Sequence, residues 1–181
     1  PNDYPYPNAR HYTWADPYRA HRIEEVLGSG RRFSVAEMTR LQNDDLSIAA
    51  RAVVPLLRDL PFANPAVAKA RDLVTGWDFV LDKHSSGAAV YELFSRRLFT
   101  AVREASIPAA ARGVVPNGLI STKRIIDWLH APDGRFGADP TRGRDGLVTA
   151  AFERMDRSQA EALIEQLQRA AIGIERTLAV P

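Results

Sequence analysis

The first residues to ask about chemistry are the four histidines, His11, His21, His84 and His130. Two imidazoles three or four residues apart on a helix would share a face and could hold a metal, but no two of these are so spaced. The chain has no cysteine, which excludes disulfides, thiolate catalysis and cysteine-ligated zinc. No serine stands in the G-x-S-x-G pattern that lifts a nucleophile out of a strand-to-helix turn. Glu24-Glu25 and Asp44-Asp45 are adjacent carboxylates, and helical neighbours point about 100° apart, so such pairs read as solvated faces and not as shared acid–base sites. Asp133-Gly134 and Asp139-Pro140 lack the donors at alternate positions, and the closing Glu, that a helix–loop–helix calcium site requires, so they read as turns. A free N-terminal proline such as Pro1 can act as a base or nucleophile, but the enzymes known for it are small β-rich assemblies. The pattern here is helical.

The elements that would position any site follow from proline, glycine and capping signals. Residues 1–14 combine Pro1, Pro5 and Pro7 with Tyr4, Tyr6, Tyr12 and Trp14, and proline holds itself and its predecessor out of regular helix. This predicts an extended arm lying against an apolar surface. Asp16-Pro17 predicts a helix start, with Asp16 capping and Pro17 in the first turn, and Gly28 and Gly30 its end. Ser34 to Glu37 has the capping-box form and opens a helix to about Gln42. A helix from Asp45 to Leu60 is expected to kink or split at Pro55. Asn64-Pro65 opens another to about Thr75, and Gly76-Trp77-Asp78 breaks the pattern. Residues 86–104 carry the strongest helical periodicity, through Val90, Leu93, Phe94, Leu98, Ala101 and Val102. Ser121 to His130 is a further helix. Residues 132–143 read as an exposed loop, followed by helices over about 145–155 and 158–177. No strand signal stands out. The fold class is therefore mainly α: an extended arm at 1–14 and a helical subdomain over 15–181.

With 181 residues, 45% hydrophobic and 25% charged, the chain has an ordinary globular balance and can bury one core. No apolar run approaches the roughly 20 residues that a membrane-spanning helix needs. The pI is about 9.2, yet the formal charge is only +2. Acidic residues interleave with the arginines, as in Arg22-Ile23-Glu24-Glu25, and the densest basic stretch, Arg135 to Arg144, contains Asp139. Nucleic acid is not expected as a partner.

Several stretches together resemble the penicillin acylase (penicillin amidase) family. They are Asp3-Tyr4-Pro5-Tyr6-Pro7, then Trp14-Ala15-Asp16-Pro17-Tyr18-Arg19-Ala20-His21-Arg22-Ile23. Ser34 to Met38 with Leu41-Gln42, and Leu46-Ser47 with Ala50-Arg51 and Val54 to Leu57, continue the likeness. Gly76-Trp77-Asp78 and Ala88 to Glu92 extend it, and beyond about residue 105 it is looser, resting on Trp128-Leu129.

The resemblance implies an N-terminal-nucleophile hydrolase that matures by cutting its own precursor. A newly exposed Ser attacks an amide carbonyl with its own α-amine as base, while an Asn side chain and a backbone N–H hold the oxyanion. The substrates implied are small linear N-acyl amides of the penicillin, acyl-homoserine lactone or lipopeptide type, and the location is periplasmic or secreted. The expected partners are the rest of the acylase: its α chain and the β-sheet core of its catalytic chain. The nucleophilic Ser is not expected in this chain, so hydrolysis by this chain alone is not expected either. Asn2 falls outside the register of the oxyanion Asn and is not assigned. Arg19 matches the arginine that supports that Asn. Asn8 matches a carboxylate that helps to bind calcium in some members, so calcium is implied only for the full enzyme, and no other cofactor is. The alternative reading is a free-standing, non-catalytic helical interaction module.

Overall fold

The computed structural model describes residues 15–155, apart from 113, 115–119 and 138. Among these, seven α-helices carry the fold: α1 (Tyr18–Leu27), α2 (Val35–Gln42), α3 (Ile48–Val53), α4 (Pro65–Thr75), α5 (Ser86–Ser106), α6 (Thr122–His130) and α7 (Pro140–Glu153). Short 3-10 segments follow α3 at Val54–Leu57 and α5 at Ala109–Ala111. The one extended pairing among the described residues is an isolated antiparallel bridge, Leu46 to Val80. The expected mainly α class holds. The arm at 1–14, and with it Asn8, and the helix expected over 158–177 lie outside the described residues.

The central element is α5. Its stripe of Val90, Phe94, Leu98 and Val102 is buried at helical spacing, and α4, α6 and α7 pack on it. Phe94 meets Phe152 of α7 edge-on at 5.2 Å between ring centroids, and Phe152 reaches Phe62 at the same separation. Trp77 packs its ring on Tyr91 at 5.5 Å and donates its indole N–H to the Val80 carbonyl at 3.0 Å. A Cβ added at Gly87 would fall 2.6 Å from Trp77 Cβ, so glycine lets the start of α5 approach that ring. Gly143, inside α7, is forced in the same way, since a Cβ there would lie 2.0 Å from the Phe136 carbonyl oxygen.

Three expectations are corrected. The helix expected from Asp45 begins at Ile48, because Ser47 takes the extended cap conformation and accepts the Ala50 N–H, while Asp44 accepts from Leu46. Pro55 splits it as foreseen: it lacks the N–H for the next helical bond, and Val54–Leu57 tightens into the 3-10 form. The segment expected to be loop through residue 143 is already helical from Pro140. Asp139 caps it by accepting the Arg142 N–H at 3.0 Å, the same device by which Asn64-Pro65 opens α4. The remaining loop is not all exposed either, for Phe136 packs against the core and Arg135 lies 4.2 Å over the Trp128 ring.

The third correction concerns Asp16. It does not cap α1. Pro17 occupies that position in a helical conformation, with no side-chain cap. Asp16 instead accepts the N–H groups of Thr122 at 3.2 Å and Lys123 at 2.9 Å, more than 100 residues away. Ser121 takes the Arg124 N–H at 3.2 Å. The first three amides of α6 are thus all satisfied by side chains, and a carboxylate stands at the positive end of the helix.

Candidate functional site

Arg19 lies on α1 and is exposed. It lines a cleft of about 260 Å³ whose walls are α1 and the 41–49 segment, including Ile23, Gln42, Leu46 and Ile48. No hydrogen bond or ion pair engages its guanidinium among the described residues; Asp16 is occupied at α6. A guanidinium offers five N–H donors in a planar fork, suited to holding two or three oxygens of a neighbouring group.

One helical turn on, Arg22 forms the wall of the same cleft. Its Nε and one terminal nitrogen donate to Asp44 Oδ2 at 3.0 and 2.7 Å. The other Asp44 oxygen accepts the Leu46 N–H at 3.0 Å. Arg22 also approaches Glu25 at 3.4 Å, and Glu25 accepts from Arg51 of α3 at 2.9 Å. The Arg22 hydrogen bond holds the Asp44 carboxyl below its ordinary range, burial opposing, and the Asp44 partnership raises Arg22 in turn. Tyr18, which also lines the cleft, has its hydroxyl oxygen enclosed with no hydrogen-bond partner among the described residues. Burial first, then the nearby Asp16 and Asp127 carboxylates, push its ionisation well above the usual phenol range.

His11 lies outside the described residues, and the other three histidines stand on separate parts of the chain. His21 and His84 are exposed, and His130 sits 2.8 Å from the Ala52 carbonyl through Nε2. No three carboxylate or imidazole groups converge as a metal site among the described residues. A second groove of about 560 Å³ runs between α5 and α7, flanked by Arg96, Arg97 and Arg154, but none of the residues singled out by motif lies there. In the basic 135–144 stretch, Arg135 pairs with Asp133 just before it and Arg144 with Asp145 just after it. The Arg22–Asp44 pair escaped the sequence reading: 22 residues separate its members, and no local periodicity links them.

A family model for penicillin amidase matches residues 1–175. The chain belongs to the penicillin amidase family, and so to an amidase-type line of hydrolases. No curated protein matches it. No described helix is long and apolar enough to cross a membrane.

Proposed function

We propose that this chain is the helical part of an N-terminal-nucleophile amide hydrolase acting on small linear N-acyl amides of the penicillin, acyl-homoserine lactone or lipopeptide type. In that enzyme, Arg19 is a supporting residue that orients the oxyanion-holding amide. The observation that carries this reading is Arg19 itself. By the resemblance it corresponds to the supporting arginine on the helix after Trp14, and in the structure it is exposed and lines a cleft. The chemistry that develops negative charge on the amide oxygen, with the nucleophile and its amine base, resides in the rest of the acylase: its α chain and β-sheet core. Hydrolysis by this chain alone is accordingly absent.

The surface supports an association of this kind. Neither α1 nor α2 has a fully buried residue, and Ile23, Val35 and Met38 are exposed on them. Exposed apolar side chains on helices that the core does not bury are what a partner surface covers. A periplasmic or secreted location belongs to the same proposal and rests on the resemblance alone.

The test is substitution in the whole enzyme. Arg19→Lys keeps the charge and loses the planar fork, so kcat on a chromogenic acyl amide is expected to fall by about 100-fold, the scale on which one preorganised donor matters, with KM nearly unchanged. A variant with wild-type kcat would remove Arg19 from the account.

A further inference from the structure

We propose that Arg22 and Asp44 are positioning residues, whose ion pair sets where α1 presents Arg19. This rests on the supporting role of Arg19 given above and adds what holds it there.

Position on α1 is the first ground. Arg19 and Arg22 are three residues apart and share a face, and both line the cleft. The second ground is how weakly the core grips this helix. None of its residues is fully buried, and only Tyr18 packs against the core. Hydrophobic packing therefore leaves the roll and tilt of α1 loosely defined, and its polar ties must define them. Beyond Asp16, which anchors the start of the helix to α6, the ties made by α1 itself among the described residues are Arg22 to Asp44, with two donors on one oxygen, and the Glu25 bridge to Arg51.

The third ground is the stiffness of what Arg22 grips. Asp44 is bonded to the Leu46 N–H within its own turn. The residues beyond are fastened across the Leu46–Val80 bridge: the Ser47 N–H donates to Phe79 O at 2.9 Å, and the Leu81 N–H to Asp45 O at 3.0 Å. Phe79 holds a φ of 66°, which a bulky L residue adopts only when its surroundings impose it. Its ring is edge-on to Trp77 at 5.7 Å, which ties the turn to the core. Arg22 thus fixes a loosely held helix to a tightly held turn. The pair is also half-screened, with side chains 24% and 19% exposed, so it is less softened by solvent than the surface pair Arg31–Glu37 at 55% and 28%.

The experiment is a double-mutant cycle in the whole enzyme, read by initial rates and by thermal melting. Asp44→Asn is isosteric and keeps the turn's Leu46 bond; Arg22→Lys keeps the charge. Each is expected to lower kcat by about tenfold, less than the loss that a 1 Å misplacement can cause, with KM within about twofold. The decisive readout is coupling. If Asp44 acts through Arg19, then Arg19→Lys with Asp44→Asn is no slower than Arg19→Lys alone. The exchange Arg22→Asp with Asp44→Arg should recover part of the rate lost by either single change. Arg31→Ala, at the distant pair, should keep wild-type kinetics.

Additive losses, or a fall in kcat that merely follows the loss of folded enzyme, would overturn the positioning role while leaving Arg19 intact. Wild-type kcat for both single variants beside an impaired Arg19→Lys would do the same. Wild-type kcat for Arg19→Lys itself would instead strike at the underlying reading, and the positioning role would fall with it.

Discussion

Asp16 illustrates how a single side chain can hold distant parts of the chain together. Its two oxygens take the first two amides of α6. Asp16→Ala should therefore cost about 1–2 kcal/mol, the upper part of the range for a lost helix cap, and lower the melting temperature of the chain. Asp16→Asn keeps an acceptor and should cost less. A melting temperature unchanged in Asp16→Ala would mean that Ser121 alone suffices. The Asp-Pro pair was legible as a capping signal, but not which helix it caps. A cap read along the sequence assumes that the amides it serves are those of the next residues, and here packing brings the N-terminus of α6 closer. The Arg22–Asp44 pair was illegible for the same reason: contact across the fold leaves no local period. Arg19 could be singled out through the family likeness, whereas its exposure beside a cleft came only from the structure.

At the scale of the element, capping chemistry was the most readable feature. Ser34 and Glu37 form the reciprocal box anticipated for α2, each satisfying the other's backbone N–H. Asn64-Pro65 opens α4, and α5 covers the stretch of strongest periodicity and two residues more. The start of α7 was missed although Asp139-Pro140 carries the same signature as Asn64-Pro65, because the surrounding glycines and arginines read as loop. Gly143 is the key to that miss: mid-helix glycine looks like a breaker, but here it makes room for the Phe136 carbonyl. The box on α2 also carries a pH dependence. The Glu37 carboxyl is held at about 2, against an ordinary 4.5, by Arg31 first and then by the Ser34 N–H and hydroxyl. A carboxyl depressed in the folded state contributes stability that is fully present above its ordinary pKa and is lost as pH falls through the folded value. Thermal stability should thus decline between about pH 4.5 and 2. Asp44 and Glu25, also depressed by arginine partners, add to the same decline. Glu37→Gln should give a shallower slope over that window, measured by melting at a series of pH values; an identical slope would deny Glu37 a part in it.

On the scale of the whole molecule, one core joins α3 to α7 through α5, while α1, which reaches it through Tyr18 and is otherwise held by ion pairs, and α2 give it no fully buried residue. Phe94 is fully buried at the centre and touches the ring of Phe152 on α7. Phe94→Ala should remove about 3–5 kcal/mol by transfer and cavity terms, seen as a lowered midpoint in denaturant unfolding. A loss under 1 kcal/mol would mean that the core closes over the gap. The helical class and the membership of the penicillin amidase family were both legible, the first from period and caps, the second from joint motifs along residues 1–105. What could not be read from one-dimensional pattern was the division of labour between a packed core and an ion-paired helical edge. That edge carries Arg19 and exposes Ile23, Val35 and Met38. The most direct measurement is hydrolysis of a chromogenic phenylacetyl or long-chain acyl amide, by this chain alone and by the full-length gene product side by side. Turnover by the full-length protein and none by the isolated chain is the predicted result. Turnover by the isolated chain would contradict it, since the nucleophile would then lie within these 181 residues.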